Sequence, residues 1–292
     1  MGKSKEPSFI TELALVVSPS EESICLTRLD AARQVFNACL GESLRRLALL
    51  RQSKAYRTAC RMPKGKKNRK QAQARVQAFR DARRAVGFSE YDLHAYAAQF
   101  NHCWLGQHLD INTIQKLATR AFNAVEQYAY GKRGRPRFKG KNQLDSVEGK
   151  TNASGIRWRD NCLVWMGLKL QAIIPEDDAV IAHGLSCPVK YVRLVRRKIG
   201  GRNRFYVQLV NKGKPYQKEK NQPGKGVVGL DIGPSTLAVV GEQDAFLEMF
   251  CAELMTDWKT IRRMQRQIDR QRRANNSDNY NSDGTVKKGV KS

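Results

Sequence analysis

The sequence predicts an α+β fold, in which a helical region is inserted into a small antiparallel β-barrel and the start of an α/β domain follows. Three observations support this prediction. Apolar residues recur at helical spacing through most of the first 130 residues. Short β-rich runs separated by turn residues then extend to about residue 215. After a polar linker at 216–226, three further strand-like runs fall within about 25 residues.

The N-terminal segment predicts one strand and one long helix. Apolar and polar residues alternate from residue 9 to 17, which is typical of a strand. Ser18 follows as a helix N-cap, with Pro19 at the first helical position and Glu21 completing a capping box. An apolar stripe at helical spacing continues the helix to about residue 50. We expect the strand within residues 1–20 to join the barrel.

The helical region, residues 21–130, contains a strongly basic stretch. Residues 45–84 hold 15 Lys or Arg and one acid, and residues 62–67 predict a break between two basic helices. With a net charge of +26 in 292 residues, we expect this face to lie on phosphates, although a solvated surface is the alternative. The candidate nucleic-acid-binding residues here are Arg57, Arg61, Lys64, Lys66, Lys67, Arg69 and Lys70.

The remaining elements follow the same patterns. A helix covers about residues 90–104, and the next one is capped by Asp110 or Asn112. Residues 131–215 predict the barrel. Residues 227–274 predict three strands and a helix, whereas the polar residues 275–292 predict no regular structure. The barrel strands are expected at residues 156–158, 163–166, 168–174, 189–196 and 204–210.

A basic connector, residues 132–141, joins the last helix of this region to the barrel. Its glycines let the backbone approach phosphates closely, so we expect it to bind a polyanion. An AT-hook around Arg135 is an alternative interpretation, although such hooks usually lie in disordered tails. The connector packs six cations into ten residues: Lys132, Arg133, Arg135, Arg137, Lys139 and Lys141.

Composition argues against several classes of protein. No apolar run approaches the ~18 residues that a membrane-spanning helix needs, and the N-terminus lacks the apolar centre of a signal peptide. We therefore expect a cytoplasmic protein that contacts no membrane. The seven cysteines are scattered and form no C-x-x-C pair, so we expect neither a disulfide framework nor a zinc site within these residues.

Asp231 is the residue that most strongly indicates chemistry, because it lies between apolar residues of a predicted strand. In ribonuclease H-like nucleases, an Asp on the first strand bridges two Mg²⁺ ions that activate water for phosphodiester cleavage. An Asp that caps a turn is the alternative. Such a site needs at least two further acids, and no local candidate lies in a context that favours this role: Glu242, Asp244, Glu248 and Glu253.

Three segments, taken in order, resemble motifs of the TnpB family of transposon-encoded, RNA-guided DNA endonucleases, relatives of type V CRISPR effectors. They are residues 30–37, 130–139 and 228–238. A polar stretch at 272–289 also looks like one that follows the first nuclease motif in part of that family.

The resemblance implies an architecture and a function. Residues 1–20 and 131–215 would form a wedge barrel, residues 21–130 a recognition lobe, and residues from 227 the start of a RuvC nuclease domain. The implied partners are a guide RNA and a target DNA with a short adjacent motif. Asp231 matches the first RuvC acid, which is a catalytic ligand of Mg²⁺. The implied location is the prokaryotic cytoplasm, in association with the nucleoid.

The family's second acid, third acid and zinc ribbon come later than any residue of this chain. The resemblance therefore implies the N-terminal part of an RNA-guided endonuclease, and whether these residues act as an enzyme stays open. One alternative is a module that binds guide RNA and DNA without cutting, as a repressor or accessory. A DDE transposase is less favoured, because such enzymes rarely place a helical lobe and a barrel before the catalytic core.

Overall fold

The computed structural model describes residues 6–65, 68–218, 221, 226–249 and 257–287. The chain divides into two compact units, Met1–Gln217 and Lys218–Ser292. The first unit contains helices and two antiparallel sheets, and the second contains a three-stranded sheet and one long helix. None of the helices in the described ranges combines the length and the apolar character that crossing a membrane requires.

The described residues of the first unit form six α-helices. Two short 3₁₀ turns, Gln99–His102 and Trp104–Gln107, lie between the fourth and the fifth of them. The helices are α1 Pro19–Gln52, α2 Lys54–Arg61, α3 Arg69–Ala85, α4 Glu90–Ala98, α5 Ile111–Ala129 and α6 Ala179–Ser186.

Helix α1 begins as the sequence predicts. The backbone N–H of Glu21 donates to Ser18 Oγ, and the backbone N–H of Ser18 donates to Glu21 Oε2 at 2.8 Å, which completes the capping box. Helix α1 ends at Gln52, close to the end near residue 50 that the apolar stripe predicts. There Ser53 ends α1 and caps α2, since its Oγ donates to Leu50 O at 2.8 Å and accepts from Tyr56 N at 3.2 Å.

Helices α1 and α5 form the centre of the helical region. Ala118 and Ala121 of α5 are fully buried, and these small side chains let the two helices approach closely. Asp110 is the N-cap of α5, one of the two residues predicted for that position. Burial raises the pKa of the α1 thiols Cys25 and Cys39 to about 12, so both act as small core residues.

Seven strands form two sheets in the first unit, with the orders β1-β7-β6-β2 and β3-β4-β5. Strand β1 pairs antiparallel with β7, so helices α1 to α5 are inserted between β1 and the rest of its sheet, as predicted. The strands are β1 Ser8–Ala14, β2 Ser146–Glu148, β3 Arg157–Arg159, β4 Cys162–Trp165, β5 Leu168–Gln171, β6 Val189–Ile199 and β7 Arg202–Lys212.

The predicted closed barrel is wrong: the described strands form two open sheets. The sheets approach each other at the isolated bridge between Leu15 and Ala172. Closure requires each strand to pair along both edges. Strands β2 to β5 are three or four residues long, too short to follow the 11-residue strands β6 and β7 along their length.

Helix α6 was not predicted. A buried polar contact holds it against the sheet of β1, β7, β6 and β2. Asn211 Nδ2 donates to Gly184 O at 2.7 Å, and Asn211 Oδ1 accepts from Thr11 Oγ1 at 3.0 Å. A Cβ atom at position 184 would lie 2.0 Å from Thr11 Oγ1, so only glycine allows this close approach.

The sheet of β3, β4 and β5 contacts the helices through Trp165, whose side chain is fully buried. Its indole N–H donates to Asp110 Oδ2 at 2.9 Å. The guanidinium of Arg28, on α1, donates to Trp165 O at 2.6 Å and to Met166 O at 2.8 Å, and it lies 4.9 Å from the indole centroid. Sheet and helices of the first unit are therefore joined by buried hydrogen bonds as well as by apolar contact.

The second unit contains strands β8 Gly229–Ile232, β9 Thr236–Val240 and β10 Ala245–Met249 in the order β10-β9-β8, all antiparallel. Helix α7, Trp258–Asn275, follows. Beyond α7, where no regular structure was expected, a bridge joins Tyr280 to Val286. Of the linker expected at 216–226, only residues 216–218, 221 and 226 are described.

Candidate nucleic-acid interface

The basic connector, residues 132–141, is held against α1 by the side chain of Asn37. Its Nδ2 donates to Lys139 O at 2.8 Å, and its Oδ1 accepts from Lys139 N at 2.8 Å. One side chain thus satisfies both backbone groups of Lys139. An AT-hook in a disordered tail has no such anchor.

The turn of α1 beside Asn37 is itself held by an ion pair. Arg33 Nε donates to Asp30 Oδ1 at 2.8 Å, and Gln34 Nε2 donates to Asp30 Oδ2 at 2.9 Å. The hydrogen bond from Arg33 holds the pKa of Asp30 below its ordinary value. Because Asn37 and Lys139 belong to them, residues 30–37 and residues 130–139 contact each other. These two segments were identified separately in the sequence.

A basic cleft of about 800 Å³ lies between α5, the basic connector and strands β2, β6 and β7. Thr119, Asn123, Gln127 and Gln208 add polar groups to its wall. Glu148 is the one acid among the described residues that line it. Six cations line the cleft: Lys116, Arg120, Arg133, Arg137, Lys139 and Arg193.

Helix α5 supplies one wall of the cleft because it is amphipathic. Lys116, Arg120, Asn123 and Gln127 follow one another at intervals of three or four residues, so they share one face. The opposite face is buried against α1. Packing of the apolar face thus directs this polar and cationic face toward the cleft.

Glu148 neutralises part of the charge in the cleft. Its carboxylate lies 2.9 Å from Lys116 Nζ and 2.8 Å from Arg193 Nε. Burial opposes ionisation of Glu148, but the hydrogen bonds from these two cations outweigh it and lower the pKa of Glu148. Tyr191 lies against the same pair, and its hydroxyl accepts from Arg193 Nη2 at 2.9 Å.

The other four cations of the cleft have no acidic partner within the described part of the chain: Arg120, Arg133, Arg137 and Lys139. Arg120 donates to Ser146 O at 3.2 Å, which orients its guanidinium along the wall. Cations without a carboxylate partner beside polar amides are the groups that contact phosphate and sugar oxygens in nucleic-acid complexes. The cleft therefore suits a polyanionic backbone.

The structure separates the predicted binding residues into two surfaces. Arg133, Arg137 and Lys139 line the basic cleft, whereas Lys132, Arg135 and Lys141 are exposed on the connector outside it. Two further predicted cations, Lys66 and Lys67, lie outside the described residues. The remaining predicted cations do not line the cleft and are exposed on α2, on α3 or in the turn between them: Arg57, Arg61, Lys64, Arg69 and Lys70.

Sequence reasoning missed three cations of the cleft. Lys116 and Arg120 stand four residues apart on the polar face of the apolar stripe used to predict α5, and that spacing was a usable signal. Arg193 carries no such signal, because it reaches the cleft only through the pairing of β6 with β2, in which it lies opposite Glu148.

Asp231 lies on β8, the edge strand of the second unit's sheet, and is exposed. Register places it opposite Ala238, which in turn lies opposite Leu247, so these three residues share one face. Glu248 is in the next row, opposite Leu237, and belongs to the other face. Glu248 is therefore directed away from Asp231.

The described residues do not assemble a two-metal site around Asp231. Glu242 and Asp244 are exposed between β9 and β10, and Glu253 lies outside the described residues. No group of three or more His, Cys, Asp or Glu side chains in the described ranges is placed to hold a metal ion. A pair of Mg²⁺ ions needs several converging carboxylates, so the residues at hand do not fit that group.

No protein-family model and no curated protein matches this chain. Among solved structures, a cryo-EM structure of a CRISPR-Cas12f ternary complex aligns with 92% of this chain at 11% sequence identity and a TM-score of 0.35. The alignment covers 56% of that protein, so this chain spans about half of its length. This chain has a mixed α and β fold with antiparallel sheets, and its first unit contains a basic cleft.

Proposed function

We propose that the first unit binds nucleic acid, with the phosphate backbone lying in the basic cleft. The observation that carries this proposal is the lining of the cleft, where the described residues include six cations and one acid. The net charge of +26 favours the same class of partner over the whole chain. Anchoring of the connector by Asn37 supports it further, because a cation held in place loses less conformational freedom on binding.

In its finer form, the proposal is RNA-guided recognition of DNA in the manner of the TnpB family. Base pairing between a guide RNA and the target strand would then read most of the sequence, and the protein would hold the backbone and a short adjacent motif. Support comes from the three motif segments and from the contact between residues 30–37 and residues 130–139.

Cleavage is a separate part of the proposal. Asp231 would be the first acid of a RuvC endonuclease site and one ligand of Mg²⁺, in a longer protein that supplies the other acids. Because the described residues place no second acid beside Asp231, we derive no cleavage step from them. The activity proposed for this chain is binding, which is also the activity of a cleavage-incompetent repressor or accessory module.

The test of the proposal is a pair of triple variants that remove equal charge from two surfaces. The first variant removes three of the cations that line the basic cleft: Arg120→Ala, Arg133→Ala and Arg137→Ala. Arg57→Ala, Arg61→Ala and Arg69→Ala remove the same charge from α2 and α3. Binding of a labelled structured RNA is measured by fluorescence anisotropy over a series of salt concentrations.

The cleft variant should bind more weakly and should show a log–log salt slope smaller by about 2, since each phosphate contact contributes roughly 0.7 to 0.9. The α2 and α3 variant should keep most of the affinity of the wild type. If the cleft variant binds like the wild type, or if the two variants lose affinity equally, the cleft is not the binding surface.

A further inference from the structure

A second cavity, of about 900 Å³, lies in the helical region and shares no described lining residue with the basic cleft. Helix α3 and Tyr56 of α2 form one side of it. Leu47 and Leu50 of α1 and Phe122 of α5 form the other, and the first turn of α4 lies at its edge. We call this space the helical cavity. Its volume is in the range of sites that hold small organic groups.

Aromatic rings dominate the wall of the helical cavity. Phe88 and Phe122 form its buried floor with ring centroids 5.2 Å apart, and Tyr56 meets Phe79 edge to face at 5.5 Å. Tyr91 and Tyr130 are 84% and 61% exposed, so two rings stand at the edge without being buried by the protein. The six rings are Tyr56, Phe79, Phe88, Tyr91, Phe122 and Tyr130.

Arginines of α3 give this aromatic space a cationic edge. Arg83 is held in place, since it donates to Glu126 Oε1 at 2.7 Å and to the Tyr130 hydroxyl at 2.9 Å while lying 5.3 Å from the Phe88 ring. Arg80 and Arg84 stand four residues apart, are exposed, and form no ion pair with a described residue. An apolar peptide or a lipid chain would leave these two cations without a partner, whereas a nucleotide brings its own phosphate.

The chemistry of the wall matches a nucleobase. Unpaired bases bind proteins by stacking on aromatic rings and guanidinium planes, with hydrogen bonds to their polar edges. Glu90 and Asp92 line the same cavity and offer carboxylate acceptors for an exocyclic amine. Folded RNA presents unpaired bases in loops and bulges, whereas duplex DNA must first break stacking to expose one.

The helical cavity and the basic cleft lie on either side of the C-terminal end of α5. Ala129 and Tyr130 line the cavity, while Gln127 and Arg133 line the cleft. The two spaces are therefore separated by about the width of one helix, roughly 10–12 Å with side chains. A strand whose phosphates lie in the cleft can place a base a few nucleotides further along in the cavity.

We infer that the helical cavity receives one unpaired base of an RNA whose backbone lies in the basic cleft. The inference rests on the proposed function, because it requires the cleft to hold the backbone. It adds a specificity element that the cleft alone does not provide, since phosphate contacts carry no sequence information.

The experiment compares two RNA hairpins that differ by one nucleotide: a fully paired hairpin, and the same hairpin with one bulged 2-aminopurine. Wild-type protein should bind the bulged hairpin about tenfold more tightly, because stacking of one base on aromatic rings is worth roughly that factor. The fluorescence of 2-aminopurine should fall on binding, as it does when the base stacks. A fully paired DNA hairpin should bind no more tightly than the fully paired RNA hairpin, because its bases stay stacked.

Two sets of variants connect the preference to the cavity. Val76→Trp fills the cavity from an exposed position on α3, 58% exposed, and should abolish the preference while leaving the paired hairpin bound as before. Val180→Trp, at a 47% exposed helical position on α6, is the matched control and should change neither. Tyr130→Ala should weaken the preference, and Tyr130→Phe should retain it because the ring remains.

The outcomes separate the two proposals. If neither hairpin binds, the proposed function fails and the inference with it. If both bind equally, or if Val76→Trp and Tyr130→Ala keep the full preference, only the inference is overturned. A fully paired DNA hairpin that binds as tightly as the bulged RNA hairpin would overturn the assignment to an unpaired base of RNA.

Discussion

Asn37 of α1 and Lys139 of the basic connector are joined by two hydrogen bonds of 2.8 Å each, one to each backbone polar group of Lys139. The two residues are 102 positions apart in the chain. This contact sets the course of the connector as it enters the basic cleft, and it joins residues 30–37 to residues 130–139.

Asn37→Ala should release the connector. The backbone N–H of Lys139 would lose its partner, and its C=O would keep only the longer hydrogen bond of 3.5 Å from Arg33 Nη1, at a cost of about 1–3 kcal/mol. The affinity for structured RNA should fall several-fold, because the backbone that carries Arg133 and Arg137 is no longer held against α1. Hydrogen exchange of residues 132–141 should increase. Asn37→Asp keeps the acceptor but sets a carboxylate against Lys139 O, so it should also weaken binding. Unchanged exchange in Asn37→Ala would show that the connector is held by other contacts.

Arg28→Ala should destabilise the first unit. The substitution leaves Trp165 O and Met166 O without their donor and removes the cation from the indole face, which together should cost about 2–4 kcal/mol in free energy of unfolding. Urea unfolding, followed by far-ultraviolet circular dichroism, measures the change. Arg28→Lys keeps the charge but loses the planar fork, so it should recover less than half of the loss. If Arg28→Lys kept the full free energy of unfolding, the positive charge alone would account for the contribution of Arg28.

The lowered pKa of Glu42 predicts that the stability of the protein depends on pH. Hydrogen bonds from Arg45 and, in part, Arg46 lower the pKa of Glu42 from 4.5 to about 2. Because the folded pKa lies below the unfolded one, this stabilisation is complete above about pH 4.5 and is lost as the pH falls toward 2. Allowing for the exposed Arg45 partner, we expect about 1–2 kcal/mol.

Urea unfolding of wild type and Glu42→Gln between pH 7 and pH 3 checks this. The difference in free energy of unfolding should be largest at pH 7 and should shrink on acidification. Asp81→Asn removes an exposed acid that forms no ion pair with a described residue, and it controls for the added net positive charge. A difference that stays constant across this range, or that grows toward pH 3, would contradict the assigned role of Glu42.

The fold could be predicted wherever local signals decide it. Ser18 and Glu21 locate the start of α1, and the alternating residues 9–17 identify β1, because capping and periodicity act within a few residues. The closed barrel was wrong because closure depends on pairing between distant strands, which no local pattern specifies. Helix α6 was missed although Asp178 caps its N-terminus, because it has only eight residues and packs on the sheet through the distant contact between Asn211 and Gly184.

The candidate site was found only in part, for related physical reasons. A run of charge such as residues 132–141 is visible in the sequence, so Arg133, Arg137 and Lys139 were predicted. Arg193 is one of five Lys or Arg in β6, and only the cross-strand pairing of β6 with β2 shows that it joins the cleft. The pairing register of Asp231 with Ala238 is equally invisible in the sequence, yet it decides which acids can stand beside Asp231.

Asp231→Asn separates binding from cleavage. Asp231 is exposed on an edge strand, so the substitution should change the free energy of unfolding by less than about 0.5 kcal/mol. RNA affinity should be unchanged, because the basic cleft lies in the first unit and Asp231 in the second. Anisotropy with the same labelled RNA measures this, and the triple cleft variant is the positive control for loss of binding.

A nuclease assay with Mg²⁺ completes the prediction. The 292-residue chain should not cut DNA, because Glu248 faces away from Asp231 and none of the other acids in the described ranges joins it in a metal-binding group. In a longer protein that contains this chain and supplies two further acids, Asp231→Asn should abolish Mg²⁺-dependent cleavage while guide and target still bind. Efficient cutting by the 292-residue chain would contradict the register argument. Undiminished cutting by the longer Asp231→Asn variant would remove Asp231 from the proposed metal site.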